Sequence, residues 1–231
     1  MRIVTRFISI PVLSILILSV PYAGLSQEVD ERTALLGALH YAQEAFGRLV
    51  HLHTEVLVDC DRQPQAYMFL LGEPESPLLN NANWKDPLSL YRGYSKGEGI
   101  VTVVAGANTS HVPVIQMHRG WPDYILNITR IMKLIEELTA AGDWEVAGHV
   151  YPAPLELWVE MHSPNRGESL FVRTSDMAIM DQEAAKRLCY SGLRARSGVH
   201  ETERDERIRK KWEFVQGLSG DRDGSAGGGR D

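Results

Sequence analysis

Eight histidines in this 231-residue chain invite a chemical reading, because imidazole binds metals and moves protons near neutral pH. His51 and His53 stand two apart at the mouth of a strand-like run, a spacing that sends both side chains to one face of a regular strand. His111, His118, His149 and His162 flank other strand-like runs, so they meet only if the fold brings them together. The HxxxH and HExxH spacings and any Cys/His cluster are missing, so no metal ligand is assigned and no cofactor is expected.

Nucleophilic chemistry has as little to draw on. The chain has no GxSxG elbow, and Cys60 sits between Asp59 and Asp61, whose carboxylates raise a thiol's pKa and disfavour the thiolate. The acid pairs Glu136 with Glu137 and Glu156 with Glu160 read as solvated surface rather than as a hydrolase dyad. Gly93, Gly97 and Gly99 lack the Lys-Ser/Thr that completes a phosphate loop. No catalytic residue is therefore assigned. An enzymatic alternative, a hydrolase, would draw first on His118, Arg119 and His149, and a metal-binding alternative on His51 and His53.

Recognition chemistry is better represented. Trp84, Tyr91 and Tyr94 lie in a proline- and asparagine-rich excursion from Pro74 to Tyr94, and flat rings give large contact area at small entropy cost. His118, Arg119 and Trp121, followed by Pro122, place a cation, a ring and a rigid turn at a strand-to-helix junction. These six residues are the candidate partner-binding set, although both clusters equally suit rings folded back into the core.

The elements that must position them follow from periodicity. Leu35, Leu39, Ala42, Phe46 and Leu49 step by three and four, which predicts a helix over Thr33 to Val50. Thr54 to Val58 and Ala66 to Leu71 predict a hairpin, and Ile100 to Ala105 with Val112 to Met117 a second one across Gly106 to Ser110. Ile125, Ile128, Met132, Ile135 and Leu138 predict a second helix, capped by Asp123 and ended by Gly142. Strands are expected at Glu145 to Val150, Leu155 to Met161 and Ser169 to Arg173. The expected class is α+β, an antiparallel sheet with two helices packed on one face, in two helix-plus-strands halves. Residues 27–192 form that domain, as one sheet or as lobes 27–120 and 121–192. Residues 193–231 form a charged, partly disordered tail in which Trp212 and Val215 dock a solvated helix.

The ends and totals bound the setting. Arg2 and Arg6 precede an apolar run from Phe7 to Val20 and the small or turn-forming residues to Ser26, the order of a secretory signal peptide over residues 1–26. The run is shorter than the ~20 residues that span a bilayer, so no stable membrane insertion is expected after cleavage. A secreted or periplasmic location follows. The net charge of −6 becomes two units more negative without Arg2 and Arg6, which argues against nucleic acid as a partner. Cys60 and Cys189 would meet an oxidising compartment, where they either pair as a disulfide or stay as two thiols.

The segments QPQAYMFLL at Gln63 to Leu71 and GEGIVTVVAGANTSHVPVIQ at Gly97 to Gln116 resemble the propeptide-like domain of secreted streptopain-type cysteine proteases. The resemblance covers about Thr33 to Gln116. The family's catalytic Cys and His motifs are absent, so the resemblance implies a stand-alone binding or inhibitory module. The expected function is a non-catalytic module that recognises a protein or peptide through a sheet edge or the excursion.

Overall fold

The computed structural model describes residues 27–84, 86–94, 97–139, 143–153, 156–194 and 201–223. The expected signal peptide and the last residues of the tail lie outside them. Among the described residues no helix is long and apolar enough to cross a membrane.

The chain folds as α+β around one eight-stranded sheet, β4-β3-β2-β1-β5-β6-β7-β8. Its first half is α1 (Glu31–Phe46), β1 (Val50–Val58), β2 (Pro64–Gly72), the short helices α2 (Leu78–Asn81) and α3 (Pro87–Gly93), β3 (Ile100–Gly106) and β4 (Gln116–Arg119). The second half is α4 (Asp123–Thr139), β5 (Glu145–Ala153), β6 (Glu156–Ser163), β7 (Glu168–Arg173) and β8 (Ile179–Asp181), followed by α5 (Gln182–Arg194) and α6 (Glu201–Asp223). Within each half the strands are antiparallel neighbours. The halves meet where β1 and β5 run parallel, paired at Val58 and Val150.

Local chemistry explains the boundaries. Asp30 caps α1 by accepting from Thr33 N at 2.9 Å and from the Thr33 hydroxyl at 2.7 Å. The helix ends at Gly47, whose φ of 89° is open to glycine at little cost. The excursion's helix α3 begins at Pro87 with Asp86 accepting from Ser89 N. The second hairpin differs from its expectation: β4 starts only at Gln116. Pro113 has no N–H to donate to a ladder, and Val112 and Val114 pack against the core as irregular chain.

The helices flank opposite faces, which corrects the expectation of two helices on one face. Ala66, Met68 and Leu70 of β2 share a core with Tyr124, Ile125, Ile131 and Ile135 of α4. Tyr67, Phe69 and Leu71, the alternate residues of the same strand, share another with Ala34, Ala38 and Ala42 of α1. A strand buried on both sides needs a cover on each, and continuous apolar runs in β2 and β3 demand it. On the α1 face, α6 adds Ile208, Trp212 and Val215, while α5 covers Val150, Trp158 and Phe171 in the second half. The parallel junction explains the alternation. Two equivalent halves joined by parallel first strands are related by a rotation about an axis along the strands, and that rotation exchanges the faces.

Candidate functional site

The α4 face carries a groove beside the first turn of α4, floored mostly by side chains that are themselves almost fully buried. Its lining crosses six strands: Gln116 and His118 on β4, Thr102 and Val104 on β3, Met68 on β2, Leu57 on β1, Tyr151 on β5 and Leu157 on β6. Thr174 and Ser175 close one end, and Pro122 and Asp123 form a wall. The empty volume, solvent mouth included, is about 510 Å³. The floor is aliphatic and aromatic and the rim polar, the usual composition of a recognition surface.

Beside the floor lies a buried charged cluster. His149 Nδ1 is 2.6 Å from Glu55 Oε2, with only 4 % of the imidazole exposed. The Tyr124 hydroxyl donates to Glu55 Oε1 at 3.1 Å, and His53 Nε2 stands 3.5 Å from the same oxygen. Burial works against the charge on Glu55. The hydrogen bonds with His149 and His53 outweigh it and hold the carboxyl well below its usual range. Burial, together with the Glu55 charge, pushes the Tyr124 hydroxyl up, so it stays a donor. His149 Nε2 is buried without a hydrogen-bond partner. The opposite face has its own buried carboxylate. Glu160, 3 % exposed, is reached by Arg62 Nη2 at 2.6 Å from the β1–β2 turn.

Of the six residues read as partner-binding, His118 lines the groove. Trp121 does not reach the surface: it is 1 % exposed and donates Nε1–H to the Tyr94 carbonyl at 2.6 Å. Gly97, at φ 59°, packs so closely under Trp121 that a Cβ there would lie 2.9 Å from the indole. Trp84, Tyr91 and Tyr94 are half-buried and fold back onto the α4-face core. Trp84 stacks on His53 with ring centroids 4.8 Å apart. Arg119 points to the other face, over the Phe46 ring at 5.3 Å.

The spacing of His51 and His53 does not place them on one face. A bulge between them shifts the register, so His51 meets Phe69 on the α1 face while His53 meets Glu55 on the other. Among the described residues no group of three or more His, Cys, Asp or Glu is placed to hold a metal ion. Glu160 is likewise not the solvated acid its strand position suggested, because its partner comes from a turn 98 residues earlier. Sequence reasoning passed over Glu55, Tyr124, Gln116 and Asp123 as site residues. Their one signal was Glu55, an acid within a strand-like run.

No family model, curated protein or solved structure matches this chain.

Proposed function

We propose that the protein is an exported, non-catalytic binding module whose groove receives a segment of a partner protein lying across the strands. The observation that carries this reading is the groove itself, an apolar floor spanning six strands with Gln116, His118, Asp123 and Ser175 at its polar rim. A ligand across the strands is recognised by side chains, so the groove takes over the role expected of the sheet edge. The reading agrees with the binding or inhibitory role that the streptopain-propeptide resemblance implies. Export is carried by the order of charged, apolar and small residues over 1–26.

The test is capture of partners from the native envelope or secreted fraction, with Ser175→Trp as the control. Ser175 is exposed at the end of the groove, so an indole there blocks the floor without touching the core. A stoichiometric partner retained by the native protein and lost by Ser175→Trp is the expected result. No partner, or one held equally by the variant, would refute the groove.

One observation favours a hydrolytic reading: a carboxylate-oriented imidazole with a free Nε2 is the base half of a nucleophile–base site. Hydrolysis abolished by His149→Gln would favour it over the binding module.

A further inference from the structure

The cross-strand rows that floor the groove continue past its lining. Ladder partners run Gln116, Val104, Met68, Glu55 in one row and His118, Thr102, Leu70, His53 in the next. His53 and Glu55 are therefore the β1 ends of the two rows whose β3 and β4 ends line the groove.

Glu55 has two oxygens and three partners. Oε2 is engaged by His149 at 2.6 Å, and Oε1 is shared between the Tyr124 hydroxyl at 3.1 Å and His53 Nε2 at 3.5 Å. Tyr124 follows Asp123 in the first turn of α4, and Pro122 and Asp123 are the groove wall. Among the described residues the titratable groups facing the carboxylate are His53 on β1, His149 on β5 and Tyr124 on α4. The excursion contributes the uncharged Trp84 ring, and the neighbouring strands contribute apolar Met68, Leu70, Val159 and Met161.

The side chain of His53 is 25 % exposed, against 4 % for His149 and 19 % for Glu55. His53 is thus the member of the cluster most open to solvent, and imidazole is the side chain suited to change its charge near neutral pH. A charged imidazole attracts a carboxylate oxygen more strongly than a neutral one, and the parallel Trp84 ring favours the cation. Oε1 then turns toward His53, and the Tyr124 hydroxyl loses its share.

We infer that His53 is a proton sensor for the groove: its charge draws Glu55 Oε1 away from Tyr124 and frees the first turn of α4 to move. Acidification then alters the wall that contacts the ligand. The inference rests on the reading of the groove as the binding surface.

An NMR titration of the protein from about pH 8 to 5 tests it. It follows the His53 ring together with signals of Thr102, Asp123, Tyr124 and Tyr151. In the native protein the groove signals move with the His53 midpoint. In His53→Gln that step disappears, with signal dispersion reporting the intact fold. In Tyr124→Phe, which removes one hydroxyl, His53 still titrates but Asp123 and Tyr151 no longer follow. Groove signals that ignore His53 in the native protein overturn the inference, as do signals that follow unchanged in either variant. Failure of the groove reading is a separate result: no partner is captured at any pH while the titration behaves as described.

Discussion

Glu55 shows how a single side chain reports on both stability and site. Its folded-state pKa is depressed below the ordinary 4.5, so its contribution to stability is fully present above that value and is lost as pH falls through the folded one. Glu55→Gln should therefore destabilise the protein by about 3 kcal/mol at pH 7, the cost of leaving His149 buried without its partner. The difference from the native protein should shrink steadily on acidification below about pH 4.5. Urea unfolding across that range checks both, and a constant difference would contradict the assignment. Glu160 gives the mirror case on the other face. Arg62→Ala strands a buried carboxylate, and since Arg62 is more than half exposed the cost should be about 2 kcal/mol rather than the full penalty of a buried pair. Glu160→Gln in the Arg62→Ala background should restore most of it in the same melts. Nothing in the spacing of either acid announces its burial, because both partners are distant in sequence.

At the scale of elements, amphipathic helices and continuous apolar strands were legible because their periods are local. α1, α4 and the β1–β2 hairpin stand close to where Leu35 to Leu49, Ile125 to Leu138 and Thr54 to Leu71 place them, although α1 ends at Phe46 and Val50 already opens β1. The charged α6 was legible only through its apolar residues. Trp212 is 2 % exposed and donates Nε1–H to the His111 carbonyl at 2.7 Å, and Val215 packs against Gly37, where a Cβ would approach to 3.1 Å. Trp212→Ala removes the largest of these contacts and should cost about 3 kcal/mol or more. Hydrogen exchange should show α6 opening well before the sheet, whereas simultaneous opening of both would mean that α6 is part of the sheet's own cooperative unit. The bulge between His51 and His53 was invisible, since one inserted residue changes the face of a side chain without changing composition.

For the whole molecule the informative place is the seam between halves. β1 and β5 share one ladder position, and side chains reinforce it on both faces through Glu55 with His149 and Arg62 with Glu160. Cys60 adds a third tie: its Sγ lies 3.7 Å from the Ala185 carbonyl on α5, the helix whose sequence also carries Cys189. A Cys60–Cys189 disulfide, closing a loop of about 130 residues, should contribute at most about 5 kcal/mol. Intact mass of the protein purified under non-reducing conditions should show two thiol hydrogens lost, and Cys189→Ser should lower the melting point under non-reducing conditions only. A native mass with both hydrogens present would rule the bridge out. By itself the sequence determined the α+β class, the main helices and hairpins, and the poverty of catalytic motifs, all of which rest on residue types and short-range periods. Only the tertiary structure decided that the helices alternate faces, that the aromatic excursion turns inward, and that Glu55, His149, Tyr124 and His53 meet beside a groove. Those outcomes depend on how two halves join through a parallel pair, and a long-range pairing of that kind leaves no trace in the local pattern of either half.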